Sequence, residues 1–304
     1  MELSVVVPTL NGRDRLAVAL DALAAVAPDV EVIVVNGPSA DGTTGMVRDR
    51  DDVDVLVEIA ARNVNVARNA GLEVAEGDAV AFLGYDHELE PGWREAVDEA
   101  LDEGASVVTG PLRRTVRGGA TSDGLERRRI ADREVSYFNG RNVVFARPVL
   151  DELDGFDEYL QTGGARDAAH RLAGMGVDVT WRADLAARRR TEATDGGIER
   201  RELGWKYRAL AYRLTKNYGV RPTVLRRTLS HALGDAAGAM RDVLGGDATP
   251  SSWASNGRDV IAGISAGASD GLVARARDRS RKRNPNGVTA RADRAVARYD
   301  RRPD

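Results

Sequence analysis

Short runs of β-branched and other apolar residues alternate with segments of helical periodicity through the first third of the chain. Between the runs, apolar residues recur at helical spacing, as at Leu16, Leu20 and Leu23. Continuous apolar strands separated by helices are typical of a parallel sheet with helices on both faces. The pattern therefore predicts an α/β domain with a mostly parallel, Rossmann-like sheet, whose ligands bind beyond the carboxyl ends of the strands. The predicted strands are Leu3–Pro8, Val30–Val35, Asp54–Ile59, Ala79–Leu83 and Ala105–Thr109.

The pattern changes near residue 200. Apolar residues then form helical stripes beside Arg or Lys over Leu203–Tyr218, Leu225–Leu244 and Val260–Ala276. We therefore divide the chain into an α/β domain over residues 1–200 and an amphipathic, basic helical extension over residues 201–304. Within the first domain, Arg113–Arg133 is polar and contains Gly clusters, which predicts a mobile loop, and Val177–Thr180 has the pattern of a strand.

Charge is distributed unevenly along the 304 residues, whose formal net charge is −3. Residues 1–200 contain 23 basic and 37 acidic residues, which gives a net charge of −14. Residues 201–304 contain 21 basic and 10 acidic residues, which gives a net charge of +11. A basic segment attached to an acidic domain predicts contact with an anionic surface. The amphipathic stripes favour a membrane surface over nucleic acid, for which the sequence has no recognition motif. The alternative is that these helices pack onto the α/β domain.

The composition excludes several classes of site. The chain has no Cys, which excludes disulfides, thiol catalysis and Cys-ligated zinc, and its three His residues are too far apart for a typical zinc site. No apolar segment approaches the roughly 20 residues that cross a bilayer, and Met1–Ser4 lacks the features of a signal peptide, so we expect a cytosolic protein. Of the 44 basic residues 41 are Arg, and of the 47 acidic residues 30 are Asp. This composition is typical of proteins adapted to high salt, where charge is screened over short distances, although a GC-rich genome also favours Arg.

Polar segments follow four of the predicted strands, namely Pro8–Arg13, Asn36–Thr43, Gly84–His87 and the region after Thr109. Because the carboxyl ends of parallel strands meet at one edge of a sheet, we expect these segments to form a single ligand site. For Asn36–Thr43 the alternative is an ordinary strand-to-helix turn, since Gly, Pro, Ser and Asp are common turn residues.

Six motifs in this order resemble those of family 2 glycosyltransferases, over roughly residues 2–185. The resemblance implies the GT-A fold, with a nucleotide-sugar half followed by an acceptor half, and a glycosyltransferase activity that inverts the anomeric centre. The motifs are Val5–Asn11, Val34–Thr43, Asn65–Gly71, Ala75–Asp86 followed by Pro91-Gly92-Trp93, Asn139–Asn142 and Gly155–Glu158.

The resemblance also implies roles for individual residues of the donor half. By position, the residues that bind the nucleotide-sugar are Thr9, Arg13, Asn36, Asp41 and Arg68. Many family members carry two acids where this chain has Asn36-Gly37, so the hydrogen bond usually accepted by a carboxylate has to come from the Asn36 side chain or from the backbone.

A divalent cation, Mg²⁺ or Mn²⁺, is the cofactor that the resemblance implies. Family members bind it through Asp-x-Asp after the fourth strand, because hard cations prefer carboxylate oxygen and stabilise the departing diphosphate. This chain has Gly84-Tyr85-Asp86 there, followed by His87. Asp86 and His87 are the candidate metal residues, with a phosphate contact or a solvated loop position as alternatives for His87.

The general base is expected to be a carboxylate of the acceptor half. Family members typically place acids just before a helix that ends in Arg, but this chain has Gly163-Gly164-Ala165-Arg166 before Asp167. Asp167 is therefore the candidate catalytic residue, with helix capping as the alternative role. Asp157 is a second candidate, although a turn suits it better.

The combined prediction is a sugar transfer from a nucleotide-sugar to a lipid-linked glycan at the cytoplasmic face of the membrane. The chain looks most like enzymes of halophilic archaea that build the dolichol-phosphate-linked glycan of surface-layer glycoproteins, which implies a hexuronic acid as the donor sugar. A dolichyl-phosphate sugar synthase is one alternative, because a phosphate acceptor needs no general base. A catalytically degenerate protein that binds nucleotide-sugars or acts as a membrane scaffold is another.

Overall fold

An eight-stranded sheet runs through the centre of the computed structural model, which describes residues 1–114, 124–189, 203–223, 226, 230, 250–277 and 294–303. The helices are α1 (Arg13–Val26), α2 (Thr43–Arg48), α3 (Val64–Val74), α4 (Trp93–Asp102), α5 (Arg147–Leu153), α6 (Gly164–Met175), α7 (Leu203–Tyr218) and α8 (Pro250–Arg277). The strands are β1 (Leu3–Thr9), β2 (Glu31–Asn36), β3 (Val55–Ile59), β4 (Ala79–Leu83), β5 (His87–Leu89), β6 (Val107–Thr109), β7 (Leu112–Arg114), β8 (Glu126–Ile130), β9 (Arg133–Tyr137), β10 (Asn142–Ala146), β11 (Thr180–Trp181), β12 (Ala187–Arg189) and β13 (Ala295–Asp300).

The large sheet has the strand order β11-β6-β10-β4-β1-β2-β3-β13. Strand β1 pairs in parallel with β2 and β4, and β2 pairs in parallel with β3. Strand β10 lies antiparallel between β4 and β6, and β13 is antiparallel to β3. The prediction of a mostly parallel sheet flanked by helices is confirmed. Because β1 to β4 run in the same direction, the segments that follow them meet at one edge.

Both faces of the central strands are buried, which explains their continuous apolar runs. Val6 of β1 belongs to a core cluster on one face, whereas its neighbours Val5 and Val7 belong to a second cluster on the other face. All three side chains are at most 1% exposed. Successive side chains of a strand point to opposite faces, so a sheet covered on both sides requires apolar residues at every position.

The prediction of a loop over Arg113–Arg133 is wrong in part. Residues 115–123 lie outside the described part of the chain, but Glu126–Ile130 and Arg133–Tyr137 form the antiparallel hairpin β8–β9. Val135 and Tyr137 are buried in the core cluster that includes α6, and this tertiary packing outweighs the polar composition of the hairpin. The last predicted strand is shifted to Thr180–Trp181, where it pairs with β6.

The C-terminal residues return to the α/β domain. The sequence predicts a helical extension up to residue 304, whereas Ala295–Asp300 form a strand on the edge of the large sheet. The guanidinium of Arg302 donates hydrogen bonds to the carboxylate of Glu31 at 2.5 Å and to the backbone oxygen of Val74 at 2.9 Å. Pairing with β3 is a long-range backbone interaction, and a short strand whose side chains are mostly exposed gives no local sign of it.

Helix α7 packs against the α/β domain, as in the alternative considered for this stripe. Leu214 and Tyr218 belong to the core cluster that also contains Val6. Helix α8 lies against α7 at closely packed glycines, since a Cβ atom added to Gly263 or Gly267 would lie 2.2 Å from a backbone oxygen of α7. The stripe over Leu225–Leu244 falls almost entirely outside the described residues. No helix among the described residues is long and apolar enough to cross a membrane.

We expect Gly267→Ala to lower the free energy of unfolding by about 1–3 kcal/mol, because the methyl group forces α7 and α8 apart. The matched control is Gly257→Ala in the same helix, where an added Cβ atom has no neighbour within 4 Å. That control should be neutral or stabilising by up to about 1 kcal/mol through helix propensity. Urea denaturation measures both values, and equal effects of the two substitutions would contradict the packing of α8 on α7.

Candidate active site

A cavity of about 750 Å³ lies beyond the carboxyl ends of the parallel strands. One wall consists of the residues that follow β1 to β4 and β6, among them Thr9, Gly37, Arg62, Tyr85 and Gly110. A second part of the lining is formed by Tyr137–Arg141 and by Gln161–Arg166, at the N-terminus of α6. The segments that the sequence places at strand ends therefore surround a single cavity, where a parallel α/β sheet is expected to bind its ligand.

Positive charge dominates the lining of this cavity. Its basic residues are Arg62, Arg68, Arg141 and Arg166, whereas Glu126 is its one carboxylate among the residues that the structure describes. The guanidinium of Arg166 donates a hydrogen bond to the carboxylate of Glu126 at 3.0 Å, and this ion pair partly neutralises the charge of the carboxylate. A cavity with several guanidinium groups favours an anionic ligand, because Arg is well suited to phosphate and carboxylate oxygens.

The two predicted donor loops, after β1 and β2, are tied together by hydrogen bonds. The backbone N–H of Arg13 donates to the carboxylate of Asp41 at 3.0 Å, and the backbone N–H of Ala40 donates to the side-chain oxygen of Asn11 at 2.8 Å. Thr9 lines the cavity, and its buried hydroxyl has no hydrogen-bond partner within the described structure. Arg13 at the start of α1, Asn36 at the end of β2 and Asp41 in the loop that follows β2 do not line the cavity.

The polar atoms of Asn36 and Asp41 are used locally. Asn36 is 1% exposed, donates to the hydroxyl of Thr44 at 2.9 Å and accepts from the hydroxyl of Ser39 at 2.7 Å. Burial tends to raise the pKa of Asp41, but hydrogen bonds from the Arg13 backbone and from Thr43 outweigh it and hold the pKa below its usual value. Both side chains therefore shape the loop that presents Gly37 to the cavity.

Arg68 of α3 reaches the cavity from within the core. It is 7% exposed, and its guanidinium donates to Asn65 at 3.0 Å and to the backbone oxygen of Gly140 at 2.6 Å. Burial, together with the nearby charge of Arg141, lowers the pKa of Arg68 to about 10. A buried cation whose hydrogen-bond partners are neutral is stabilised when an anion binds beside it.

Asp86 and His87 lie together after β4, as predicted, just behind the cavity wall formed by Gly84 and Tyr85. The two carboxylate oxygens of Asp86 lie 2.8 Å from His87 Nδ1 and 2.7 Å from Arg189 Nε. Burial tends to raise the pKa of Asp86, but His87, Arg141 and Arg189 outweigh it and hold the pKa well below its usual value. A Cβ atom at Gly84 would lie 2.6 Å from His87 Nδ1, so this imidazole takes the space that an acid at residue 84 would need.

The carboxylate of Asp86 fits a divalent cation that also binds a diphosphate. Mg²⁺ commonly takes one or two carboxylates and completes its shell with water and substrate phosphates, and carboxylate oxygen also suits Mn²⁺. No group of three or more His, Asp or Glu side chains is placed to hold a metal ion within the described ranges. Arg189 occupies one oxygen of Asp86 and is the group that a cation would replace.

Asp167 lies in the first turn of α6 but does not line the cavity. Its carboxylate is 0% exposed and accepts hydrogen bonds from Arg171, Lys216 and Asn217 at 2.8–3.0 Å. Burial tends to raise the pKa of Asp167, but the charges of Lys216 and Arg171 outweigh it and hold the pKa well below its usual value. Asp167 does not reach the cavity in this geometry, whereas Gly164 and Ala165, just before it, do line the cavity. Asp157, the second candidate, is likewise 0% exposed.

The structure brings together cationic residues that sequence reasoning did not select. Arg141 lies within the Asn139–Asn142 motif, so this motif was the available signal. Arg166 is adjacent to Asp167, but its direction into the cavity depends on how α6 begins. Arg62 lies between β3 and α3 outside any motif, and its proximity to the cavity follows only from the fold.

We expect Asp167→Asn to lower the free energy of unfolding by about 3–5 kcal/mol, because it breaks a buried ion pair and leaves Lys216 and Arg171 partly uncompensated. The control is Asp178→Asn, an exposed position just after α6, which should change stability by less than about 0.5 kcal/mol. Urea denaturation at neutral pH measures both. A loss of activity without loss of stability in Asp167→Asn would contradict the structural role and support a catalytic one.

Comparisons with known proteins agree on one family. Residues 4–152 match the model of Glycosyl transferase family 2. The curated glycosyltransferase AglE of Haloferax volcanii is 27% identical over 204 residues, which cover 60% of this chain. The chain spans 64% of that relative's length.

Solved structures support the same fold. TarS of S. aureus superposes with a TM-score of 0.56 at 18% identity, covering 75% of this chain and 43% of TarS. The mannosyltransferase PcManGT of Pyrobaculum calidifontis, solved with GDP-Man and Mn²⁺, has a TM-score of 0.55 at 19% identity and covers 89% of this chain and 87% of its own. With the sequence motifs, the sheet order and the cavity at the strand ends, these matches identify residues 4–152 as a glycosyl transferase family 2 domain and show that the chain has the GT-A fold.

Proposed function

We propose that this protein transfers a sugar from a nucleotide-sugar donor to a glycan acceptor in the cavity described above. The observation that carries this proposal is the set of four arginines around a cavity at the strand ends, opposed by one carboxylate within the described structure. A nucleotide-sugar carries its charge on a diphosphate, and its departure is favoured by cationic groups aimed at the leaving oxygens. Family membership supports the same activity.

Each wall of the cavity has its own part in the reaction. The loops after β1 and β2, with Thr9 and Gly37, bind the nucleoside, and Arg13 and Asp41 hold these loops in place. Arg68 and Arg141 face the diphosphate. Asp86 would hold a divalent cation, which would supply further positive charge for the departing diphosphate. The segment Gln161–Arg166 contacts the acceptor, and Glu126, the one carboxylate that lines the cavity in the described structure, accepts the proton of the acceptor hydroxyl.

We propose a lipid-linked glycan as the acceptor and a hexuronic acid as the donor sugar, as the resemblance to archaeal enzymes implies. The protein then works at the cytoplasmic face of the membrane. Because α7 packs on the domain, the candidate membrane surface is the outer side of α8. Ile261, Leu272 and Val273 are 69%, 44% and 43% exposed there, beside the exposed Arg258, whereas the guanidinium of Arg275 donates to the backbone oxygens of Lys216 and Asn217 on α7. Apolar side chains next to arginines suit an anionic bilayer.

Transfer to a lipid phosphate is a second candidate, and the position of Asp167 favours it. A sugar hydroxyl needs a general base, whereas a phosphate acceptor is already an anionic nucleophile. The carboxylate of Asp167 is buried in ion pairs, and Ala165 lines the cavity in its place. The arginines of the cavity also suit a phosphate acceptor.

One assay separates these functions. The purified chain is incubated at high salt with UDP-glucuronic acid, UDP-glucose or GDP-mannose, together with either a polyprenyl phosphate or a polyprenyl-linked glycan. Mass spectrometry then detects the lipid product. We expect a mass increase of one hexuronic acid on the glycan, whereas an increase on the phosphate selects the second candidate. Nucleotide binding without any product would contradict both and indicate a degenerate protein.

The metal at Asp86 has a separate test. We expect Asp86→Asn to abolish the gain in nucleotide diphosphate affinity that Mn²⁺ gives the unmodified protein, a loss of about tenfold or more, because the carboxylate ligand is removed. The control Glu88→Gln changes a nearby carboxylate on β5 that is not a candidate metal ligand. Isothermal titration calorimetry with and without Mn²⁺ measures both. If Mn²⁺ does not change the nucleotide affinity of the unmodified protein, the assignment of a metal site to Asp86 is contradicted.

A further inference from the structure

A cluster of buried charged side chains lies beside the cavity without lining it. Asp157, Asp167, Arg171 and Lys216 are each at most 3% exposed. Two carboxylates and two cations make the cluster neutral overall. All four residues lie outside residues 4–152 that match the family model; Lys216 belongs to α7, and the aspartates flank the acceptor side of the cavity.

Lys216 binds both aspartates at once. Its ammonium group donates to Asp157 Oδ2 at 2.5 Å and to Asp167 Oδ2 at 2.9 Å. Arg171 contacts only Asp167 of this pair, at 3.0 Å, and its other nitrogens donate to the backbone oxygens of Leu153 and Gly155. Tyr212, one turn earlier on α7, donates its hydroxyl to Asp157 at 2.8 Å. Lys216 is therefore the shared cation of the two carboxylates.

The two aspartates mark the ends of one segment of the cavity wall. Residues 158–166 connect them, and Gln161–Arg166 line the cavity. The start of this segment also contacts α3, where the side chain of Asn65 donates to the backbone oxygens of Asp157 and Leu160 at 3.2 and 2.6 Å. The start of the segment is thus held between α3 and α7, and its end at Asp167 is held by the same ammonium group.

Two buried carboxylates that share one ammonium group repel each other when that group is removed. Coulombic repulsion between them is strong in a buried site, and neither can be solvated without moving towards the surface. Movement of either aspartate moves the wall between them, because Asp157 and Asp167 are only ten residues apart.

We propose that Lys216 is a positioning residue of the transfer site, which fixes the acceptor wall Gln161–Arg166 by binding Asp157 and Asp167 together. This inference rests on the proposed function, because the wall is assigned to the acceptor. It assigns to the first helix of the extension a role in acceptor geometry. The donor loops after β1 and β2 make none of the hydrogen bonds described for Lys216, Asp157 and Asp167, so we expect them not to depend on this contact.

The test compares Lys216→Met with Lys216→Arg and with the control Lys206→Met, an exposed lysine on the same helix. Hydrogen–deuterium exchange follows the peptides that cover residues 158–166 and 36–43. Nucleotide affinity is measured with UDP and GDP, and acceptor KM with the polyprenyl acceptor that the transfer assay selects.

In Lys216→Met we expect faster exchange over residues 158–166 and an acceptor KM that rises about tenfold or more. Exchange over residues 36–43 and nucleotide affinity should stay within about twofold of the values of the unmodified protein, because only the acceptor wall is displaced. Lys216→Arg should recover part of the acceptor affinity because it keeps the cation, and Lys206→Met should match the unmodified protein. Unchanged exchange over residues 158–166, or an equal loss of nucleotide affinity, would overturn the proposal.

A charge-balanced variant covers the case in which Lys216→Met does not fold. Asp157→Asn with Lys216→Met leaves Asp167 paired with Arg171, so we expect it to fold while still showing faster exchange over residues 158–166. Normal exchange and normal acceptor KM in this double variant would contradict the role of Lys216. If the unmodified protein transfers no sugar, the proposed function fails, whereas the exchange measurement still tests the contact itself.

Discussion

The burial of both faces of the central sheet is the constraint on which the rest of this structure depends. Strands β1, β2 and β4 have apolar neighbours above and below, so their central residues have no access to a ligand in water. Functional side chains are restricted to the segments where the strands end. This restriction brings Thr9, Gly37 and Tyr85 to one cavity, although up to 76 positions separate them in the chain.

The cavity combines exposed and buried positive charge. Arg62 and Arg166 come from segments at its rim, whereas Arg68 is buried and hydrogen-bonded to neutral groups. Desolvation makes a buried guanidinium costly on its own, and a bound diphosphate offsets that cost. The acidic residues near the cavity have partners of their own. Asp41 accepts a hydrogen bond from the backbone of Arg13, and Asp86 pairs with Arg189.

The C-terminal extension is part of this arrangement. Helix α7 places Lys216 between two aspartates of the acceptor wall, and β13 completes the edge of the sheet beside β3. Arg294, just before β13, also forms ion pairs with Glu73 of α3 and with Glu158 in the segment that follows Asp157. The positive net charge of the extension is therefore used partly within the molecule, and a smaller part remains for a membrane surface on α8.

The sequence by itself determined the α/β class, the strand ends that carry the site, and the family, because apolar periodicity and local motifs are properties of neighbouring residues. It also selected Thr9 and Arg68 as candidate site residues. They lie in motifs at a strand end and on a helix, and both line the cavity. Tertiary structure alone decided that Asp167 is buried in ion pairs, since its partners Lys216 and Asn217 are about 50 residues away on α7. It likewise decided that Ala295–Asp300 is a strand, because that strand exists only through pairing with β3, and long-range pairing of this kind has no signature in local sequence.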